Sequence, residues 1–274
     1  MKNLFASLAL AGALFVPTVT RAQFAGSVAS YTEGSGVITS YNDPTAALGA
    51  PSQFTPGDFG GPVDPFDAPY LSSQIVGVGT GGSITLQFNS PVQNNAANPY
   101  GLDFIIFGHA GFTEDFGTGT AQDGSLYTGG TSDARVSVSV DGLTFYTLNP
   151  LQAPLVDGLF PTDGSGNPFL PVNPNLTAAD FAGQDLAGIR ALYNGSAGGA
   201  GFDLAWGVDG NNQSVFLPSV NYVRLEVLND GTPAYIDAIS VVPEPATDAL
   251  TVAGAGLLWL LRRKNQVART AFVP

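Results

Sequence analysis

The chain has 274 residues, with 22 acidic side chains against 9 Lys and Arg and no cysteine. Such a charge balance repels phosphate backbones and excludes nucleic acid as a partner, and the missing cysteines exclude disulfide staples and a thiol nucleophile. Glycine (35) and proline (20), with no three-residue period, exclude collagen and long helices and favour a turn-rich fold.

In chain order, Lys2, the apolar run Leu4 to Val16 and Thr20-Arg21-Ala22 read as a secretory signal over residues 1–22, with Gln23 as the first mature residue. Residues 23–241 are enough for one β domain with its own core. They hold 20 acidic residues against Arg135, Arg190 and Arg224, and no lysine. Period-two alternation predicts a strand over Ser83 to Phe88 with Ile84, Leu86 and Phe88 on one face. Leu102 to Phe107 reads as a fully buried strand. Val136, Val138 and Val140 alternate up to Asp141-Gly142, a two-residue hairpin signal, and Thr144 to Leu148 returns as the partner. The stretch Asn149 to Pro174, rich in proline, glycine, aspartate and asparagine, reads as an irregular excursion. Short helical turns follow between Asn175 and Tyr193, with Asn175 or Thr177 as cap. Phe202 to Val208 reads as another buried strand. Val223, Leu225 and Val227 alternate again, Asn229-Asp230-Gly231 turns the chain, and Ala234 to Val241 makes the last strand. The pattern is that of an all-β sandwich with short helical turns in a long loop.

The C-terminus has three parts in order: Val242-Pro243-Glu244-Pro245, an apolar run from Ala246 to Leu261, and Arg262-Arg263-Lys264. As a helix the apolar run would span about 24 Å, short of the roughly 30 Å hydrocarbon core, and the basic cluster favours the cytoplasmic side. This arrangement resembles the PEP-CTERM sorting signal of Gram-negative bacteria. The resemblance implies export through the Sec translocon, a sorting signal over residues 242–264 and cleavage near Pro-Glu-Pro by a membrane-embedded exosortase. Residues 265–274 form a cytoplasmic tail, which such signals usually lack. An ordinary single-pass anchor is the alternative. The product is expected at the cell envelope surface or in the extracellular matrix, after transient anchoring in the inner membrane.

The central region resembles exported bacterial surface proteins that carry the same tail. The likeness lies in Tyr41-Asn42-Asp43-Pro44, Ala47-Leu48-Gly49-Ala50-Pro51, Gly82-Ser83-Ile84-Thr85-Leu86, Asp103-Phe104-Ile105-Ile106-Phe107, Val138-Ser139-Val140-Asp141-Gly142 and Gly198-Gly199-Ala200-Gly201-Phe202-Asp203-Leu204-Ala205-Trp206. Their layout is similar to the galactose-binding-like jelly roll of many carbohydrate-binding modules. In such modules a structural calcium commonly ties an early loop to the last strand, which here nominates Asn42, Asp43 and Asp237 as ligands. The alternative is an Asx turn at Asp43 before Pro44, with Asp237 facing solvent.

Asp163-Gly164-Ser165-Gly166-Asn167 begins like a calcium loop. It then places Pro168 and Pro174 where an EF-hand needs glycine and a bidentate carboxylate, so it reads as a turn-rich loop. Asp203, in an apolar segment, needs a partner, from Arg190, Arg224 or a metal. His109, the only histidine, has no recognisable nucleophile beside it. Tyr100, Phe112 and Tyr127 are loop aromatics suited to stacking on sugar rings, whereas Trp206 reads as a core residue. The function expected is that of a non-enzymatic exported surface or matrix protein. The alternatives are a carbohydrate-binding module for exopolysaccharide, or a glycan hydrolase using a carboxylate pair such as Asp103 and Glu114.

Overall fold

The structure, a computed structural model, describes residues 23–128, 134–228 and 232–244. Its strands are β1 (Ala25–Thr32), β2 (Phe54–Thr55), β3 (Gly61–Pro62), β4 (Val76–Val78), β5 (Ser83–Gln93), β6 (Phe104–Gly108), β7 (Gly111–Asp115), β8 (Thr120–Thr128), β9 (Ala134–Ser139), β10 (Tyr146–Leu148), β11 (Ala200–Phe202), β12 (Gly207–Val208), β13 (Ser219–Val227) and β14 (Ala234–Val241). Two helices, α1 (Ala178–Phe181) and α2 (Leu186–Tyr193), lie between β10 and β11. The signal segment, the Asn229-Asp230-Gly231 turn, Pro245, Arg262, Arg263, Lys264 and the tail lie outside the described residues.

The alternating segments pair into a six-stranded sheet of order β1-β5-β13-β9-β10-β12. Its strand pairs are antiparallel. Ile84, Leu86, Val136, Val138, Val223 and Leu225 point from it into the main core. Facing them is a four-stranded sheet of order β11-β6-β14-β4, also antiparallel, which contributes Phe104, Ile106, Ile236 and Ile239. Phe104 and Phe202 are register partners whose rings stack with centroids 5.3 Å apart. This two-sheet arrangement around one apolar core is the expected all-β sandwich.

The smaller sheet is buried on both faces, which is why β6 reads as an unbroken apolar run. Ile105 and Phe107 point away from the main core and pack with Ala197, Ala238 and Val242. The excursion after β10 covers this outer face: Thr162 Oγ1 donates to Gly108 O, and Ser240 Oγ donates to Pro168 O. A bidentate ion pair holds the excursion to α2, with Arg190 Nε and Nη2 at 2.7 and 3.0 Å from the Asp163 oxygens. The helices then close a second cluster of Phe112, Ala121, Val172, Phe181, Ile189 and Tyr193 against the β7–β8 hairpin. Gly124 (φ +75°) is required there, because a Cβ would sit 2.0 Å from Ala178 O. Thr177 caps α1 in a capping box with Asp180, and the Asp185 carboxylate accepts from Gly188 N–H at the start of α2.

Two local expectations need correction. Tyr146 pairs with Val138, and the β9–β10 connection runs through residues 140–145, wider than a two-residue turn. Asp141 accounts for the extra length: its carboxylate accepts from the N–H groups of Leu143 and Thr144 in an Asx turn, and Val140 is left half exposed. The run Phe202 to Val208 is likewise two strands in different sheets. The chain leaves the smaller sheet at Phe202, turns through a 3₁₀ segment at Leu204–Trp206, and reaches the edge of the larger sheet as β12.

Because Phe202 has no exposed surface and stacks on Phe104, Phe202→Ala should destabilise the domain by about 3–5 kcal/mol. Urea unfolding checks this, with the loss expected as a lower midpoint at unchanged slope.

Candidate functional site

Exposed aromatic side chains surround a cleft of about 100 Å³, bounded by the β2–β3 connection on one side and by Tyr127 of β8 on the other. Phe59 is 93% exposed on the connection, and Tyr70 and Tyr127 are 42% and 52% exposed. The two tyrosine rings are held in place, and the Phe59 ring projects into solvent beside them. The Tyr127 hydroxyl donates to Phe66 O at 2.9 Å and accepts from Ala68 N–H, and its ring lies so close to Gly111 that a Cβ there would meet it at 2.4 Å. The Tyr70 hydroxyl donates to Phe59 O, and Tyr70 O accepts from the Tyr41 hydroxyl. Asp67 lines the same cleft, with its carboxyl pushed above the usual range by burial and by the neighbouring Asp64. Fixed tyrosine faces beside a carboxyl are suited to a sugar ring.

Of the three aromatics nominated from sequence, Tyr127 belongs to this cleft. Tyr100 is half exposed in a left-handed conformation (φ 58°) and is not among the residues lining it. Phe112 is completely buried in the second cluster, 4.9 Å from the Phe181 ring, and offers no face to a ligand. Its loop-like neighbours concealed that Gly111 to Asp115 is a strand packed under the helices. Phe59 and Tyr70 escaped the sequence reading. The available signal was an aromatic set among glycines and prolines, as in Phe59-Gly60-Gly61-Pro62.

The residues nominated for calcium have separate structural engagements. Asp43 is exposed and caps a 3₁₀ turn by accepting from the Thr45 N–H and hydroxyl; Asn42 beside it is exposed. Asp237 is buried within β14, with its two oxygens accepting from Ser52 N–H (2.7 Å) and Ser52 Oγ–H (2.9 Å). Among the described residues, no group of three or more His, Asp or Glu side chains gathers around a common point. Val242 is buried in the outer-face cluster and donates its N–H to Asp103 O, so it belongs to the domain as much as to the tail. Pro243 and Glu244 are partly exposed.

The other polar candidates resolve into local partners. Asp203 accepts from Ala205 N–H at 2.7 Å and lies beside Asp103, not beside an arginine. Arg190 is committed to Asp163, whose carboxyl stays below the usual range: burial opposes this, but Arg190 and Ser165 outweigh it. Arg224 lies over the Phe145 ring and donates to Thr85 Oγ1. Asp103 has no exposed surface and so cannot flank a glycosidic bond with Glu114. His109 is paired through Nδ1 with Asp157 at 2.5 Å, and Asp157 also accepts from Ala110 N–H. That pair joins residues far apart in the chain, and local sequence carried no sign of it. Among the described residues, no serine or threonine hydroxyl is hydrogen-bonded to the imidazole.

Compared with known proteins, the chain matches no protein-family model and no curated protein. Among the described residues, no helix is long and apolar enough to cross a membrane.

Burial pushes the Asp237 carboxyl up to about 7 against its Ser52 hydrogen bonds, and pushes Asp103 up to about 6. A raised folded pKa means the folded state holds the proton more tightly, so this contribution to stability is complete below about pH 4 and is lost as pH rises through the folded value. Stability should therefore fall by a few kcal/mol between about pH 4 and pH 7. Asp237→Asn should flatten the upper part of that fall, because an amide oxygen accepts from Ser52 N–H while its N–H₂ donates to Ser52 Oγ. Thermal unfolding of both proteins from pH 4 to 8 measures the difference, and parallel curves would refute it.

Proposed function

We propose that this is a non-enzymatic, exported cell-surface or extracellular-matrix protein whose β-sandwich, a galactose-binding-like jelly roll, binds exopolysaccharide at the cleft flanked by Phe59, Tyr70 and Tyr127. The observation that carries the reading is the cleft itself: two exposed tyrosine rings fixed by hydrogen bonds to backbone, the exposed Phe59 beside them, and the Asp67 carboxyl as a partner for sugar hydroxyls. An acidic domain of this kind favours neutral over anionic polymers, because like charge opposes the latter. A small, open site gives weak single-site affinity, which suits a matrix component engaging a repetitive polymer at many points. The buried state of Asp103, which keeps its carboxyl away from any substrate, supports binding over turnover.

Delivery follows from the two apolar ends of the chain: Sec-dependent export on residues 1–22, then recognition of Pro243, Glu244 and Pro245 by exosortase, with Arg262, Arg263 and Lys264 held at the cytoplasmic face. Intact mass of protein from the native envelope should show a chain beginning at Gln23 and ending near Pro245. A chain retaining Leu257 to Arg263 would mean a permanent anchor.

Sedimentation with neutral and acidic polysaccharides, paired with turnover assays on the same preparation, tests the binding reading. Phe59→Ala and Tyr127→Ala should each reduce sedimentation by several-fold, since stacking faces supply much of such contacts. No hydrolysis is expected. Binding unchanged in both variants would remove the cleft from the reading, and turnover abolished by a single aspartate change would replace binding with catalysis.

A further inference from the structure

The antiparallel register that sets Phe104 opposite Phe202 places Asp103 and Asp203, the residues just outside that pair, side by side at one end of the smaller sheet. Asp103 is fully buried and accepts three N–H groups: Asn95 N and Asn98 Nδ2 on Oδ1, both at 3.0 Å, and Leu204 N on Oδ2 at 2.9 Å. Asp203 is half-buried. Its Oδ1 accepts from Ala205 N–H, while its Oδ2 faces the turn Pro99–Gly101, close enough that a Cβ on Gly101 would meet it at 3.7 Å. Asn98 opens that same turn and is only 4% exposed. Its Nδ2 is committed to Asp103, which fixes the amide orientation, because the reverse would set oxygen against oxygen. Its Oδ1 is buried without a hydrogen-bond partner.

We infer that the Asn98–Gly101 turn and the Asp103–Asp203 pair form a divalent-cation site of calcium type, with Asn98 Oδ1 and the two carboxylates as ligands. Two features that are unfavourable separately have one remedy. A pair of adjacent carboxylates repels unless a proton or cation lies between them, and a buried amide oxygen needs an electron-pair acceptor. A water molecule would answer the amide oxygen and leave the like charges opposed; a hard cation answers both. Calcium accepts carboxylate and amide oxygens in flexible geometry and completes its shell with water, which can enter past the half-buried Asp203. The site is distinct from Asn42, Asp43 and Asp237, and it is independent of the sugar-binding cleft.

The test is a titration of the purified, chelator-treated full chain with terbium, read as luminescence sensitised by Trp206, which lies in the turn capped by Asp203. Calcium competition follows on the same samples. Emission should saturate and be displaced by calcium. Asp203→Asn keeps an oxygen for the Ala205 N–H and should retain the native circular dichroism while weakening terbium and calcium by at least about tenfold. Asn98→Ala should weaken them as well, and Asp43→Asn should leave them unchanged. Emission that does not saturate would mean that the pocket holds only water. Wild-type affinity in Asp203→Asn, or loss of binding in Asp43→Asn, would equally overturn the assignment.

Discussion

A sheet with apolar side chains on both faces is stable only when each face is covered, and the four-stranded sheet of this domain is built that way. Phe104 and Ile106 look toward the larger sheet, while Ile105 and Phe107 look outward. The larger sheet supplies one cover. The other must come from chain with little regular structure of its own, so the excursion between β10 and β11 folds back across the outer face. Its cost in order is offset by a small number of polar fastenings: Asp163 to Arg190, Ser240 to Pro168 O, and Thr162 to Gly108 O. The Asp163–Arg190 pair matters most among these, because burial of the carboxylate leaves it no alternative partner of equal strength.

The acidic composition has a structural explanation. Loops without disulfides need local constraint, and in this domain aspartate supplies it. Asp43 caps through Thr45, Asp123 through Ser125, Asp141 through Thr144 and Asp209 through Gln213, and these hydrogen bonds hold the four carboxyls below the usual range. Each charge sits at the surface, where water solvates it, and each stops its turn from unwinding. Asp103 and Asp237 are different, because they are carried inside by strands and their carboxyls rise accordingly. One residue type thus serves two environments with opposite consequences for its proton.

How much of this could be read from the sequence depended on whether the cause was local. Ile84 with Leu86, and Val223 with Leu225, announced their strands because a half-buried sheet imposes period two. Thr177 and the α2 segment were legible because caps act within a few residues. The split between Phe202 and Val208 was not, since a buried apolar run looks the same whether it stays in one sheet or crosses between two. Phe112 was assigned to the surface for want of any sign that α1 would pack over it. Asp157 meeting His109, Ser52 meeting Asp237 and Asp103 meeting Asp203 are contacts across large sequence separations, set by register and loop path. The cleft fell between these cases: Tyr127 was visible as a loop aromatic, but its partnership with Phe59 and Tyr70 was not.

The order in which the strands are made has its own effect. β14 lies between β6 and β4, and at its end the Val241 N–H reaches back to Gln23 O while Phe24 bridges Ser240. An interior strand of the smaller sheet is therefore the last of the described strands to be synthesised, and it closes against both the start of the described domain and the middle of the chain. Until it arrives, Ile105 and Phe107 have no β14 neighbour, and the outer face cannot be sealed by Ala238 and Val242. Contacts of such long sequence separation form late and slowly. The smaller sheet is complete only once its C-terminal strand is in place.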